Sequence, residues 1–343
     1  MITIGVDFHK QTSSYHVLDE NGKFLKRCKL KNNEENIRKF IQSFQGPKQV
    51  AMEATRNWGI FFECIKDLVD DFQLGHPKKM KAITDSETKN DKHDAQMIAK
   101  LTYSKFLPKA HVSHLDNRQL RSLLRYRHFL VKQRRAIRQQ VQTLIDRNLW
   151  PCDRPKAFKD IFCKKGIQWL KSITLHERER FILDQALESF EDLSRRILQI
   201  EDYVNQQTAE LKGLEYLRTT PGFKTSRVNA YIVLLETDDI HRFRKANGFA
   251  HYAGLVPREH SSGSKQRHGR LVKNANMHLR TAFIESTLAA IRLDKGLKSY
   301  YKKVKKSSGS GSAIIACARK LSYAVYHVLK DQRPYRAESP VAA

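Results

Sequence analysis

The run Ile2-Thr3-Ile4-Gly5-Val6-Asp7 decides how the N-terminal part of the chain folds. It is short, apolar and rich in β-branched residues, which is typical of a buried strand, and it ends on a carboxylate. A second run, Val50-Ala51-Met52-Glu53, has the same form. A charge at the end of a buried strand is costly unless something pairs with it. The two acids therefore indicate a site at the ends of two strands.

The segments around these runs predict an α/β fold. Asn21-Gly22 is a strong hairpin turn signal between two strands, and the helices show apolar residues at helical spacing. Strands followed by alternating helices and strands predict a mixed sheet with helices on its faces. The predicted strands are 2–7, 13–18, 24–30 and 49–53, and the predicted helices are 35–44, 58–72 and 89–105.

Two further acids, Asp91 and Asp94, lie three residues apart on the last of these helices and share one of its faces. Four neighbouring carboxylates repel one another and stay ionised only with bound cations. Asp7, Glu53, Asp91 and Asp94 therefore predict a site for two Mg²⁺ ions, with Mn²⁺ as the alternative, and hence phosphodiester chemistry. Taken singly, each acid is also explained as a turn residue, a helix cap or a solvated helix charge.

The middle of the chain is predicted to be helical, with apolar residues that recur every seven positions. In the first long helix they are Leu123, Leu130, Ile137 and Leu144. In the second, which begins near His176, they are Leu183, Phe190, Ile197, Val204 and Leu211, with Ala186, Leu193 and Ile200 three positions later. This pattern is typical of a coiled coil. An antiparallel pair within one chain and a seam between chains both fit, and we favour dimerisation because the second seam is long and regular.

The charge of the chain is strongly positive and unevenly distributed. The formal net charge is +27; residues 1–106 hold 18 Lys and Arg against 14 Asp and Glu, whereas residues 213–343 hold 24 against 9. Such a field attracts polyanions, and nucleic acid is the expected partner. The other reading is a basic but passive surface.

Several classes of protein are disfavoured by composition. The five cysteines are scattered without a C-x-x-C pair, which supports neither a zinc site nor a disulfide framework. No segment reaches the roughly 18 apolar residues of a membrane span. No G-x-S-x-G or Walker A motif occurs, which disfavours acyl hydrolases and P-loop enzymes. We expect a cytoplasmic protein with no membrane partner.

The C-terminal part is predicted to be mainly α-helical. Thr220-Pro221-Gly222-Phe223 is a turn that leads into a helix, with Lys224 and Arg227 beside it. Next comes Ala253-Gly254-Leu255-Val256-Pro257, then a predicted loop over 258–270 that contains Ser261-Ser262-Gly263-Ser264. Helices are predicted over 275–293 and 313–330, with a basic, flexible loop over 302–312 between them.

Three acidic motifs resemble the DEDD transposases of the IS110 and IS1111 insertion-sequence groups. They are Gly5-Val6-Asp7, Met52-Glu53-Ala54-Thr55 and Asn90-Asp91-Lys92-His93-Asp94-Ala95. The runs 220–223, 253–258 and 261–264 resemble the second domain of that family. The resemblance implies a RuvC-like (ribonuclease H-like) domain over 1–107, a coiled-coil dimerisation domain over 108–212 and a transposase domain over 213–343. One departure is Arg56-Asn57-Trp58, where the family often has Gly-x-Tyr.

The same resemblance implies a recombinase guided by a bridge RNA. A serine of the C-terminal domain, supplied by a partner subunit, would attack DNA and form a phosphoserine link beside the Mg²⁺-binding acids. Alignment of the family pattern places this serine at Ser262, with Ser261 and Ser264 as rivals. The residues alone would make Ser262 an ordinary loop serine or a phosphate hydrogen-bond donor. The implied partners are donor and target DNA, the guide RNA and further copies in a dimer or tetramer, in a prokaryotic cytoplasm and at the nucleoid during action.

Basic residues on the first long helix and in the C-terminal part are the predicted nucleic-acid contacts, because arginine fits phosphate bidentately. They are Arg118, Arg121, Arg125, Arg134, Arg138, Lys224, Arg227, Arg258, Lys265, Arg267 and Arg270. Two alternatives stay open. One is a RuvC-like structure-selective endonuclease that uses metal-activated water, and the other is a non-catalytic nucleic-acid-binding scaffold.

Overall fold

The computed structural model describes residues 1–81, 91–150, 155, 160–208, 211–224, 226–262, 265–272 and 275–336. At 81, 91–92, 259–262, 265–268 and 270 it describes the backbone alone. The chain divides into two compact units, Met1–Leu115 and Asp116–Ala343.

The first unit is built on a six-stranded mixed sheet in the order β3-β2-β1-β4-β5-β6. β1 is antiparallel to β2 and parallel to β4, and β5 continues the parallel part. The strands are β1 (Ile2–Phe8), β2 (Thr12–Leu18), β3 (Phe24–Lys31), β4 (Lys48–Glu53), β5 (Asp71–Gly75) and β6 (Lys109–Ala110). The helices are α1 (Glu34–Gln42), α2 (Trp58–Ile65), α3 (Pro77–Lys81) and α4 (Asp91–Tyr103).

Helices cover both faces of this sheet, as predicted. On one face Ile4, Val6 and Met52 are buried with apolar residues of α1 and α2. On the other face α4 packs over β1, β2 and β4. Side chains of a strand alternate between the faces, so the residues between those three point toward α4. The predicted mixed sheet with helices is confirmed.

Parts of this unit differ from the prediction. Helix α3 and strand β6 were not predicted. The helix predicted over 58–72 ends at Ile65, and 71–75 form strand β5. The Leu68 N–H donates to Ile65 O and the Asp70 N–H to Lys48 O, so a turn delivers the chain to the edge of β4. Pairing with β4 buries Leu74, and this tertiary contact outweighs the local helical spacing.

The second unit is mostly helical, as predicted. Its helices are α5 (Leu115–Asn148), α6 (Lys164–Ser172), α7 (Glu177–Gln207), α8 (Leu214–Leu217), α9 (Arg227–Thr237), α10 (Ala246–Tyr252), α11 (Met277–Leu293) and α12 (Lys295–Lys330). Two strands, β7 (Pro257–Ser262) and β8 (Lys265–Leu271), form an antiparallel hairpin. Among the described residues, every helix falls short of the combined length and apolarity that a membrane span needs.

The two long helices α5 and α7 pack antiparallel within the chain. Near one end Leu124 shares a core with Val204, and near the other Val141 and Leu144 share a core with Leu183. Of the residues predicted for the α7 seam, Leu183 and Val204 are thus buried in cores shared with α5 of the same chain. Phe190 and Ile197 are buried as well, whereas Leu211 lies beyond the end of α7. Of the two arrangements left open, the structure contains the intrachain pair. The seam is thereby occupied, which removes the reason for which we favoured dimerisation, and the dimer itself stays a prediction.

The core of the second unit lies between α9, α11 and α12. α9 is buried without interruption from Asn229 to Thr237, and Phe223, Phe249 and Phe283 are fully buried beside it. Leu124 of α5 and Val204 of α7 belong to the same cluster. In the described residues the helix pair and the C-terminal helices thus share one core, while the division into domains at 107 and 212 stays a prediction.

Two predicted loops are ordered elements. Residues 258–262 lie in β7 and residues 265–270 in β8, and the backbones of the two strands pair in antiparallel register. Residues 302–312, predicted as a flexible loop, belong to α12, which bends at Gly309 (φ 80°, ψ 168°). Serine and glycine have low helix propensity, but buried Ala313 and Cys317 anchor the segment that follows. The prediction also missed helix α6.

Candidate functional site

Asp7 and Glu53 lie at the carboxyl ends of neighbouring parallel strands. Val6 of β1 is directly opposite Met52 of β4, and each acid is the next residue of its strand. Because Val6 and Met52 point toward α1 and α2, alternation directs both acids to the face that α4 covers. The sheet therefore brings these two predicted site residues side by side.

Gly5 allows α4 to approach this face closely. A Cβ on Gly5 would lie 2.3 Å from the Ala95 carbonyl oxygen and 2.4 Å from the Ala99 amide nitrogen. Any larger residue would push the helix away from β1. Gly5 and Asp7 lie two positions apart on β1 and therefore point to the same face of the sheet. The close approach of α4 over Gly5 thus brings the helix near Asp7.

The direction of α4 places its acids at the same edge. Its last residue, Tyr103, reaches Gly22, whose added Cβ would lie 2.7 Å from Tyr103 Cε1. Gly22 follows β2 at the end of the sheet where β1 begins. α4 therefore runs opposite to β1, and its first turn, with Asp91 and Asp94, lies toward the edge where Asp7 is found.

The surroundings of the acids differ. Asp7 is 7% exposed and its Oδ2 is 2.9 Å from Nε2 of His9, while Glu53 is partly buried and Asp94 is exposed. The Asp91 side chain lies outside the described residues. Within the part of the chain that the structure describes, no three His, Cys, Asp or Glu side chains form a ready metal cluster. The donor set is nonetheless chemically suitable, since carboxylate oxygens are the ligands that Mg²⁺ and Mn²⁺ prefer.

His16 is a buried polar residue of this face that the sequence did not single out. It lies opposite Gly5 in the sheet and is 3% exposed. Burial, then the charges of Arg27 and Lys100, lower the pKa of His16. Arg27 also donates to Gln96 Oε1 of α4 at 3.2 Å. A neutral imidazole therefore lies beneath α4, on the strand next to the one that carries Asp7.

Ser262 is the last residue of β7. The backbone register places Lys265 opposite Ser262 and Arg267 opposite His260. The side chains of Ser261, Ser262, Lys265, Arg267 and Arg270 lie outside the described residues, as does Ser264 altogether. The position of Ser262 is thus the end of a hairpin strand rather than a loop, with a cationic residue opposite it.

Arg280 and Gly254 hold the base of this hairpin. The Arg280 guanidinium donates to the carbonyl of Val272, just after β8. A Cβ on Gly254 (φ +69°) would lie 2.1 Å from Nη2 of Arg280, so the guanidinium occupies the space that a side chain would need. Gly254 therefore leaves room for the arginine that holds the base of the hairpin, whose first strand ends at Ser262.

The arginines predicted to contact nucleic acid on α5 are partly engaged within the chain. Arg121 donates to Leu235 O at 3.1 Å, Arg125 binds Glu236 through two hydrogen bonds of 2.8 Å, and Arg138 pairs with Asp160 at 2.8 Å. Arg134 donates to Ser194 Oγ at 3.3 Å, and burial lowers its pKa. These contacts favour a structural role for much of this face, and its nucleic-acid contacts stay a prediction.

The other predicted contacts whose side chains are described differ in exposure. Lys224, Arg227 and Arg258 are exposed, and Arg118 of α5 is partly buried. Sequence reasoning missed Glu236, which is 3% exposed and accepts hydrogen bonds from Arg125 and Asn276. It closes the apolar run Tyr231-Ile232-Val233-Leu234-Leu235, which is the same signal that marked Asp7.

Two family models match separate parts of the chain. Residues 4–149 match a model described as a transposase of the DEDD IS110 type, and residues 214–302 match the transposase IS116/IS110/IS902 family. Together they cover most of the chain. The first match contains the four predicted acids, and the second contains the β7–β8 hairpin. The chain belongs to the IS110/IS1111 family of DEDD transposases.

Curated relatives of this transposase agree with the assignment. A transposase of the insertion sequence element IS1111A from Coxiella burnetii is 26% identical, over 97% of this chain and 91% of the relative. A probable family 20 transposase from Pseudomonas aeruginosa is 25% identical over 84% of each chain. The transposase of IS1328 from Yersinia enterocolitica is 23% identical over 82% and 81%. As a transposase, the protein has DNA substrates.

Proposed function

We propose that this transposase is a Mg²⁺-dependent DNA recombinase with a RuvC-like first domain. The observation that carries the proposal is the placement of Asp7 and Glu53 at the ends of adjacent parallel strands, on the face that α4 covers. The strand order, three antiparallel strands followed by parallel β4 and β5, supports a ribonuclease H-like fold. Asp91 and Asp94, at the start of α4, complete the set of four acids.

The four acids would hold the cations. When bound, two Mg²⁺ ions supply Lewis-acid stabilisation of the attacking and leaving oxygens of a phosphodiester. The protein residues hold and shape the site. His9, through its contact with Asp7 Oδ2, orients that carboxylate, and the close approach of α4 over Gly5 sets how near Asp94 comes to the strand ends.

Ser262 is the proposed nucleophile. Its Oγ attacks the phosphorus of a DNA phosphodiester; the Oγ–P bond forms, the bond from phosphorus to one sugar oxygen breaks, and the serine proton ends on that departing oxygen. The phosphodiester energy is kept in the phosphoserine, so a second DNA end can be joined without ATP. Lys265 and Arg267, opposite Ser262 and His260 in the hairpin, supply positive charge near the phosphate.

A bridge RNA is the proposed guide, and a dimer or tetramer the proposed working form. The family resemblance supports both, and the charge of +27 is consistent with more than one bound nucleic acid. In such an assembly Ser262 of one copy would serve the acids of another. Co-purification of a discrete RNA, and its requirement for strand exchange, tests the guide.

A covalent adduct tests the serine mechanism. The protein, its co-purified RNA, donor DNA and target DNA are incubated with Mg²⁺ and then denatured. We expect a denaturation-resistant protein–DNA adduct with the wild type and with Ser261→Ala, and none with Ser262→Ala or Asp7→Asn. Ser261 is the matched control because it is the neighbouring hydroxyl in the same strand.

The other outcomes separate the alternatives. Loss of the adduct in Ser261→Ala or in Ser264→Ala, with its retention in Ser262→Ala, would move the nucleophile to that serine. Cleavage that survives Ser262→Ala without an adduct would favour a metal-dependent endonuclease that uses water. An Asp7→Asn protein with undiminished cellular transposition would favour a scaffold, and would remove the proposed metal site as well.

A further inference from the structure

Helix α12 (Lys295–Lys330) is a strongly basic element with no acidic residue along its 36 positions. Its first half concentrates the charge in six exposed lysines, and Asp294 and Asp331 flank the helix at its two ends. Within the described part of the chain, these lysines form no ion pair with a carboxylate. They are Lys295, Lys298, Lys302, Lys303, Lys305 and Lys306.

The helix folds back on itself at Gly309. The Cys317 Sγ is 3.9 Å from Leu297 O, and Nζ of Lys320 lies 4.0 Å from the ring centre of Tyr300. Twenty residues of straight helix span about 30 Å, so these contacts require the two halves to lie side by side. The turn between them, Ser307 to Ser312, is exposed at every position. α12 is therefore a helical hairpin with an exposed apex.

The chemistry of the apex fits phosphate. Four lysines, at 302, 303, 305 and 306, precede a run of serines and glycines whose hydroxyls and small side chains leave the backbone open to a ligand. Nothing lies within 4 Å of a Cβ placed on Gly309 or Gly311. The N–H groups that begin the second half of α12 point into the same region, where they add donors to the lysine charges.

We propose that this apex binds the phosphate backbone of duplex DNA without reading its sequence. Lysine is a point charge and reaches phosphates without the planar fork that recognises a base edge. The two tyrosines beside it are covered by cations, Tyr300 by Lys320 and Tyr301 by Lys305. Both rings thus already contact a cation, which disfavours them as stacking platforms for unpaired bases and favours a duplex over single-stranded RNA.

The proposal rests on the assignment as a transposase with DNA substrates, and is independent of Ser262 and of the metal site. Binding is measured by fluorescence anisotropy in EDTA, without RNA, over a series of salt concentrations. The probes are a duplex of the element's end, an unrelated duplex of equal length and, in a separate titration, a single-stranded RNA of equal length. The variant is K302Q/K303Q/K305Q/K306Q, which removes four charges from exposed positions.

We expect the slope of log affinity against log salt to fall by about 2 to 4, and both duplexes to bind roughly tenfold or more weakly, because each lost phosphate contact removes about 0.9 from the slope. The control is K164Q/K165Q/K212Q/K245Q, which removes the same charge from exposed lysines elsewhere in the second unit. It should change the slope by less than 1.

Three results would overturn the inference. They are an unchanged slope in the apex variant, an equal loss in the control variant, and a loss confined to an RNA probe. Thermal unfolding of both variants shows whether they are folded. Normal DNA binding by the apex variant would refute this inference whether or not the variant formed the covalent adduct. It would leave the proposed serine mechanism untouched, because that mechanism is tested by the adduct of the wild-type protein.

Discussion

Arg125 of α5 donates two hydrogen bonds to Glu236 at the end of α9, from Nε to Oε1 and from Nη2 to Oε2, each 2.8 Å long. Asn276, which caps α11, donates to the same carboxylate at 2.7 Å. Arg121 is 3.9 Å away. One buried charge thus joins three helices of the second unit. Part of the arginine-rich face of α5 serves to hold α5 against α9 and α11.

Replacement of Glu236 by glutamine tests this junction. The carboxylate is 3% exposed and its partners are charged, so the neutral amide leaves Arg125 with a weaker acceptor. We expect the free energy of unfolding at pH 7 to fall by about 1–3 kcal/mol. Glu188→Gln, on the exposed side of α7, is the control and should change it by less than about 0.5 kcal/mol. Urea unfolding gives both values, and equal effects would contradict the junction.

The same pair predicts a pH dependence of stability. Burial alone raises the pKa of Glu236, but the hydrogen bonds and charge of Arg125, with Asn276 and Arg121, bring that pKa below its usual value. A lowered folded-state pKa stabilises the fold above the unfolded-state value, about 4.3, and this contribution is lost as the pH falls through the folded-state pKa. The difference in melting temperature between wild type and Glu236→Gln should therefore be largest near pH 7 and shrink below about pH 4. A constant difference would contradict the assignment.

The acidic site could be predicted from local strand patterns. Features that depend on packing between distant residues could not be predicted from the sequence. Two short apolar runs were enough to place Asp7 and Glu53 at strand ends, because runs of this length that are rich in β-branched residues are typical of buried strands. The bend at Gly309 depends on contacts between residues twenty positions apart, Leu297 with Cys317, which no local pattern contains. The partner of Arg125 is likewise 111 residues away, so the charge pattern of α5 could not separate an ion pair from a phosphate contact.

Gly5 should be intolerant of any side chain. Gly5→Ala places a methyl group 2.3 Å from the Ala95 carbonyl, so α4 must move off β1. We expect a loss of about 1–3 kcal/mol in unfolding free energy and a fall in Mg²⁺-dependent adduct formation. Gly248→Ala is the control, since Gly248 lies in helix α10 with open space around it and alanine favours a helix. If Gly5→Ala were as stable and active as wild type, α4 would not approach the strand as described.

Two adjacent residues of α7 test the antiparallel helix pair. Ile197 is 3% exposed, whereas Leu198 is 59% exposed. Ile197→Ala should lower the unfolding free energy by about 2–5 kcal/mol because it opens a cavity against α5, and Leu198→Ala should lower it by less than about 1 kcal/mol. Both are measured by urea unfolding at two protein concentrations. A large effect of Leu198→Ala that vanished on dilution would indicate a contact between chains on that side of the helix.

Gly309 should be required for the fold-back of α12, and Gly311 should not. Gly309 has φ 80° and ψ 168°, a region that residues with a Cβ rarely adopt, so Gly309→Ala should cost about 1–3 kcal/mol and favour separation of the two halves. Cys317 reports this directly, since it is buried beside Leu297 and burial raises its pKa to about 11. We expect maleimide to label Cys317 several-fold faster in Gly309→Ala than in wild type, with the site identified by peptide mass spectrometry. Gly311→Ala should label like wild type and stabilise the helix slightly, because alanine exceeds glycine in helix propensity. Continued protection of Cys317 in Gly309→Ala would show that the two halves stay together without the glycine.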